Sequence, residues 1–529
     1  MRNASGSLRI AFALAATLPW IPAQAALTYP GCADLKPSDF AVIPLVNYGT
    51  DKTVQEPIKM ALDADASGNT DIYFVQRLGK VRKYSTAKKA MITIGDFAFT
   101  AAQVPDTRNS KGLNGIALDP DFKNTHWMYF YIGLDNDWRV SRFKLNGEVL
   151  DLASERVLFR FDGGGKATTH VAGALKFDAE GNLWISNSEN EANDPSANTD
   201  SYLGKILRIK PRRFSDAVPA PAPGNGSTYD IPAGNLYPAG TDKALPEIYI
   251  MGTRNPYTIT LDPVRRAIAW GDIGPDGYGV TEEFNFATKP GNFGYPGWAG
   301  NQKAIQTGYG TPAAPTYPGT AGIKNLPPAI APIIAYGQAC AVTGPVYYYD
   351  ANLASPIKFP PHLNGAWLIG EFNQSWIEAV ELDAPGSKVL SRLRILEPDA
   401  GGQLNKPLDI QMGPDGAMYI MNYSGFRTWN AKTGLLRVEY KGDCHPVSLA
   451  GKSGPGERAR LEGAGLRLGQ TGIHRIRFVD ASGRIAARIS AWGPGTARLA
   501  TGQVSGLRIM LIEYPDGTSG RILLPGLAP

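Results

Sequence analysis

Between Met251 and Pro296 the chain gathers an Arg-Asn-Pro turn in MGTRNPYTITLDP, a Gly-Pro turn among acids in WGDIGPDGYGVTEEFN, and the loop KPGNFGYP. Arg254 supplies a fixed cation and Asn255 an amide that both donates and accepts. The carbonyls of Gly274 and Pro275 can turn outward, and Asp272, Asp276, Glu282 and Glu283 add negative potential around them. Carbonyls beside carboxylates suit a hard cation such as Ca²⁺. The plainer reading is a surface turn with solvated acids. His170, in TTHVAGALKFDAEGNLWIS, is the chain's candidate general base, because imidazole exchanges protons near neutral pH. Against that stands a packed, hydrogen-bonded histidine. His126, His362 and His445 read as strand or loop residues.

The elements that would position these groups are strands. A short strand, an Asp/Gly/Asn turn and a second apolar strand recur from Met60, Gly115, Ala174, Thr258, Phe359 and Asp409. Each copy can make a hairpin whose apolar flanks mark buried antiparallel strands. Units that cannot bury their own faces must stack on neighbours. Six of them around an axis predict an all-β fold, a six-bladed β-propeller over residues 26–445. A histidine delivered at the start of an inner strand would then face the axis. After Cys444 the sequence alternates apolar and polar residues between Gly-rich turns, which predicts a small C-terminal β-sandwich-like module over 446–529. That piece carries 11 Lys and Arg against 5 Asp and Glu, a balance that reads as a solvated basic sheet face.

Arg2 and Arg9, the apolar ALAATLPWI and the Ala23-Gln24-Ala25 site predict a cleavable signal peptide over 1–25, hence a periplasmic or secreted protein. No stretch reaches the roughly 18 uninterrupted apolar residues of a membrane span. A net charge of +5 on 529 residues gives no case for nucleic acid or a membrane surface as partner. Of the three cysteines, Cys32 opens the β region and Cys444 closes it, so a bridge between those two is preferred over pairings with Cys340. There is no CxxC and no Cys/His cluster, which disfavours zinc.

From about Pro37 to Tyr440 the chain resembles the soluble quinoprotein glucose/sorbosone dehydrogenase family, the PQQ-dependent aldose sugar dehydrogenases. The carriers are KGLNGIALDPDF (111–122), SRFKL with LDLASERVL (141–158), HVAGALKFDAEGNLWIS (170–186), LGKILRIKP (203–211), IPAGNLY with PEIYIMGTRNP (231–256), WGDIGPD (270–276), KPGNFGYP (289–296) and PLDIQMGPDGAMYIMNY (407–423). The resemblance implies pyrroloquinoline quinone (PQQ) lying on Ca²⁺ in the axial depression. It also implies a small-molecule sugar oxidised at C1 to a lactone, and an external electron acceptor. Carried over residue by residue, His170 matches the base. Arg254 and Asn255 match the pair at the quinone oxygens, and Gly274 and Pro275 match the carbonyls that hold Ca²⁺. Glu189 stands where the family usually has Asp, able to orient His170 or pair with Arg254.

The chain departs from the family at Ser110-Lys111-Gly112-Leu113-Asn114-Gly115 and in the fifth unit. There, Glu371-Phe372-Asn373-Gln374-Ser375-Trp376 puts the amides Asn373 and Gln374 where relatives place Lys or Arg against the cofactor carboxylates. Lys406 remains as a cofactor contact, followed by Pro407-Leu408 where some members have a second Arg. These departures keep two alternatives in view. One is a quinone-less propeller that binds glycans or cell-surface partners, and the other a Ca²⁺-dependent, lactonase-like hydrolase.

Overall fold

A computed structural model of the chain describes residues 27–29, 32–104, 110–163, 169–192, 194–212, 222–279, 281–337, 339–425 and 428–444, with the backbone of five strands between 459 and 523. The expected signal peptide and His445 lie outside the described residues. The chain divides into two compact units, Met1–His445 and Pro446–Pro529.

The first unit is a six-bladed β-propeller. Blade one runs from its inner strand outward as Pro57–Ala64, Thr70–Gln76, Lys80–Ser85 and Ala90–Asp96. Blade two is Gly112–Leu118, Trp127–Leu134, Asp137–Asn146 and Val149–Phe161. Blade three is Ala172–Phe177, Leu183–Asn187, Lys205–Pro211 and Ile248–Met251, to which Gly291–Asn292 adds a short parallel pairing. Blade four is Thr258–Asp262, Ala267–Asp272, Glu282–Ala287 and Ile334–Tyr336, and blade five Ala341–Val346, Trp367–Glu371, Trp376–Leu382 and Val389–Leu396. Blade six takes three strands from the end of the unit, Pro407–Met412, Met418–Asn422 and Gly434–Tyr440, and its outermost strand, Phe40–Asn47, from the beginning. The six inner strands contact one another in a closed ring.

Sequence accounts for this architecture at two levels. The turns after inner strands are built by Asp and Gly: Asp65 Oδ1 accepts the N–H groups of Ser67 and Asn69, and Asp178 Oδ1 accepts that of Asn182. Gly68 and Gly181 adopt φ of 82° and 80° in these turns, where a side chain would be strained. The second strands are sandwiched between neighbouring blades, so both faces are apolar; Leu183–Asn187, Trp367–Glu371 and Met418–Asn422 are buried at every position. Near the axis the packing is closer still: a Cβ on Gly115 would run into the carbonyl oxygen of Gly173 in blade three.

The fifth repeat is out of phase with the sequence reading. The copy beginning at Phe359 covers the second and third strands of blade five, while the inner strand is Ala341–Val346 and Pro361–Leu363 is a 3-10 turn. A long connection from Tyr347 to Ala366 replaces the short Asp/Gly turn there, so the hairpin signal arrives one strand late.

Cys32 and Cys444 form a disulfide with Cα atoms 5.5 Å apart, and Cys340 is a free thiol. In the second unit the strands Ala459–Glu462, Gly465–Asp480, Ile485–Arg498, Leu507–Glu513 and Ser519–Leu523 form one five-stranded antiparallel sheet. The second layer that a sandwich requires is not among the described residues.

Candidate active site

The end of each second strand lies beside the loop that leads into its blade's inner strand, and in five of the six blades that last residue is polar and buried: Gln76, Asn187, Asp272, Glu371 and Asn422. Four of them reach back to hold that loop. Gln76 Nε2 donates to the carbonyls of Thr53 and Gln55, and Asn422 Oδ1 accepts the N–H of Asn405. Asp272 accepts the N–H groups of Arg254 at 3.0 Å and Asn255 at 2.6 Å. Glu371 accepts those of Cys340 at 2.7 Å, Asn373 at 2.9 Å and Gln374. Four of the loops at the propeller mouth are therefore held by the ends of strands.

Blade three holds His170 in a related way. Ala172 pairs with Asn187 in the hairpin, which sets position 170 opposite position 189. His170 Nδ1 lies 2.8 Å from Glu189 Oε1. Glu189 is 1% exposed, and Arg254 Nε stands 3.7 Å from the same oxygen. The Glu189 N–H donates to the Arg254 carbonyl at 2.9 Å, and its Oε2 accepts from the N–H of Glu191. A carboxylate only accepts, so in the neutral ring Nδ1 carries the proton and Nε2 the lone pair. Asn255 is buried with its Oδ1 taking the Ser188 hydroxyl, and among the described residues its Nδ2 has no hydrogen-bond acceptor.

Blade four brings Arg254 onto the Gly-Pro turn: Nη1 donates to the carbonyls of Ile273 at 2.9 Å and Gly274 at 3.1 Å, and Thr281 Oγ1 donates to Pro275 O at 3.1 Å. Only glycine fits at 274, since a Cβ there would meet the Thr281 backbone. Glu282 accepts the Gly274 N–H at 3.1 Å and the Ala341 N–H at 3.2 Å. Burial pushes the carboxyls of Asp272, Glu282 and Glu283 upward from the usual range. The Gly274 and Pro275 carbonyls each retain a lone pair that suits a hard divalent cation, while the oxygens of Asp272, Glu282 and Glu283 already accept N–H groups.

Across the mouth, Asn373 and Gln374 are exposed; Asn373 Nδ2 donates to Cys340 Sγ at 3.4 Å, and Gln374 Oε1 accepts from the Trp376 indole at 3.2 Å. Burial and the nearby Glu282 and Glu371 raise the Cys340 thiol to about 12. Lys406 is half-buried with a φ of 49°, its N–H on Ser375 Oγ at 2.8 Å and its ammonium 5.4 Å from the Phe372 ring centroid. Arg254 and Lys406 thus place positive charge in the loops that lead into the inner strands of blades four and six, which fits an anionic, carboxylate-bearing cofactor. The arc continues through Arg77, whose Nη1 donates to Lys111 O at 2.8 Å, and Ser110, whose hydroxyl donates to Thr169 O at 2.7 Å beside His170.

His170, Glu189, Arg254, Asn255 and Gly274 therefore form one connected cluster with Pro275 next to it, while Asn373, Gln374 and Lys406 lie on the blade five and six side, linked to it through Glu282, Ala341 and Glu371. Sequence reasoning missed Ser188, Glu371 and Cys340. The buried polar residue that ends a second strand is the signal that would have found Glu371.

A six-bladed propeller with a histidine, a carboxylate, a guanidinium and a cation-compatible turn at its axial mouth defines a class, and similarity to known proteins narrows it. Residues 54–426 match the Glucose / Sorbosone dehydrogenase family, and the chain belongs to that family. It is 26% identical over 327 residues to the aldose sugar dehydrogenase YliI of Escherichia coli (strain K12), covering 60% of this chain and 76% of that protein. Among solved structures, the PQQ-bound aldose sugar dehydrogenase of Streptomyces coelicolor aligns with a TM-score of 0.53 at 18% identity, over 76% of this chain and 98% of that one. The apo soluble aldose sugar dehydrogenase of Escherichia coli aligns with a TM-score of 0.54 at 21% identity, over 76% and 99%. At these identities the structural matches speak for the fold. Among the described residues no helix is long and apolar enough to cross a membrane.

Proposed function

We propose that this protein is an exported sugar dehydrogenase that oxidises the C1 carbon of an aldose or related sugar to a lactone, using PQQ and Ca²⁺ and passing electrons to an external acceptor. The observation that carries the reading is the 2.8 Å contact from Glu189 to His170 Nδ1, which leaves Nε2 as a base at the mouth of the axial depression. Bound there, the quinone would supply a two-electron acceptor for the hydrogen on C1. His170 Nε2 takes the proton of the C1 hydroxyl, and Glu189 steadies the imidazolium that results. Arg254 and the Asn255 amide face negative charge developing opposite the base. Gly274 and Pro275 would hold the cation through their carbonyls, with Asp272, Glu282 and Glu283 behind them. Lys406 supplies charge for the cofactor carboxylates, and Asn373 and Gln374 offer amides on the blade five side. The unit 446–529 would add a small β-sandwich-like accessory module.

Reconstitution tests this. Apo-protein given PQQ and Ca²⁺ is expected to bind the quinone, seen by absorbance, and to reduce a redox dye with aldoses; exhaustive EDTA treatment is expected to abolish both. If neither binding nor dye reduction occurs, the dehydrogenase reading fails. The quinone-less binding propeller then takes its place, as the uncharged Asn373 and Gln374 would favour.

A further inference from the structure

Around the propeller axis, the inner strands of blades one, two, three, four and six enclose a small cavity. It is lined by the polar side chains of Lys59, Lys176, Asp409 and Gln411 and by apolar groups such as Ile116 and Ala174. Lys59 is 4% exposed. Its ammonium lies 3.3 Å from the centroid of the Tyr257 ring and, among the described residues, has no hydrogen-bond partner. Lys176 Nζ donates to Gln411 Oε1 at 2.6 Å, which uses one of its three protons. Asp409 is already engaged: Oδ2 accepts the Met60 N–H at 2.8 Å and Oδ1 accepts the Gln411 amide at 2.9 Å. Two ammonium groups therefore share one carboxylate, in a place where an unpartnered charge is costly. Burial lowers Lys59 to about 7, with Lys176 adding to the effect and Asp409 opposing it.

We propose that this axial cavity binds one compact monovalent anion of halide size, held by the ammonium groups of Lys59 and Lys176. An anion there balances the second positive charge and accepts the N–H groups that Lys59 leaves unused. The cavity has room for about one water-sized occupant. That size excludes phosphate, sulfate and a sugar acid and leaves single-atom anions. The ion would tie blade one to blade three across the axis, where no strand pairing joins them. Neither PQQ nor the sugar takes part, so the inference stands whether or not the dehydrogenase reading holds.

Full-length protein crystallised in sodium bromide tests the site directly. Anomalous scattering at the bromine edge is expected to show one peak in the cavity beside Lys59. In solution, bromide and chloride are expected to raise Tm saturably above sodium methanesulfonate at equal ionic strength, and Lys59→Met is expected to remove that halide-specific rise. Should Lys59→Met fail to fold, Lys176→Met serves as the second variant. Full bromide saturation without an axial peak, or identical Tm curves in bromide and methanesulfonate, would mean that water fills the cavity and would overturn the proposal. So would a halide-specific rise that survives loss of either lysine.

Discussion

Glu189 is committed in three directions: Oε1 faces His170 Nδ1 and Arg254 Nε, and Oε2 takes the Glu191 N–H. Each neighbour is a donor, so the site needs an acceptor at 189 rather than merely a polar group. Glu189→Gln keeps the shape but presents an amide N–H₂ that can face Nδ1, which would move the ring proton to Nε2 and remove the base. We expect Glu189→Gln to lower kcat of the reconstituted enzyme nearly as far as His170→Ala, each by about 10²–10⁴-fold. Binding of PQQ, followed by absorbance, should be largely unchanged in His170→Ala. If Glu189→Gln keeps wild-type kcat across the pH profile, the carboxylate plays no part in orienting the base. The meeting of His170 and Glu189 was within reach of the sequence, because both flank one Asp/Gly hairpin, eight and seven residues from its Asp178–Asn182 turn. The Arg254 hydrogen bonds to the Ile273 and Gly274 carbonyls were not, since an arginine's reach does not show in spacing.

The strands carry the site through their ends. In blades one, four, five and six, the last residue of the second strand anchors the loop before the inner strand; Glu371 does so through the Cys340 N–H and also holds the Asn373 and Gln374 N–H groups of the turn that follows it. Glu371→Ala would leave these donors without their acceptor, at about 1–3 kcal/mol for each that water does not reach. We expect a lower urea midpoint for Glu371→Ala and a smaller loss for Glu371→Gln; equal midpoints for Glu371→Ala and wild type would show that the loop holds itself. The hairpins were legible because Asp-x-x-Gly-Asn turns and apolar strands are local signals. The anchors were not, because Glu371 and Cys340 stand 31 residues apart and only the closed blade brings them together. Blade five shows the same limit: with its first connection lengthened, a reading based on short turns loses the inner strand.

For the whole molecule, the ring closes where Phe40–Asn47 pairs with Gly434–Tyr440, from Phe40 opposite Tyr440 to Asn47 opposite Gly434. Cys32 and Cys444 bind covalently just beyond that pairing, at a sequence separation of 412. Reduction, or the double variant Cys32→Ser/Cys444→Ser, is expected to cost about 2–5 kcal/mol, read as a lower denaturation midpoint. An unchanged midpoint would show that strand pairing alone secures the closure. The ring closure also sets a schedule for the molecule's synthesis. Phe40–Asn47 is made among the first strands, yet its partner is the last strand of the propeller, and a ribosome adding about 5–20 residues per second needs roughly twenty seconds to over a minute to supply it. Through that interval Phe40–Asn47 is an unpaired apolar strand, the kind of edge that pairs readily with a wrong neighbour.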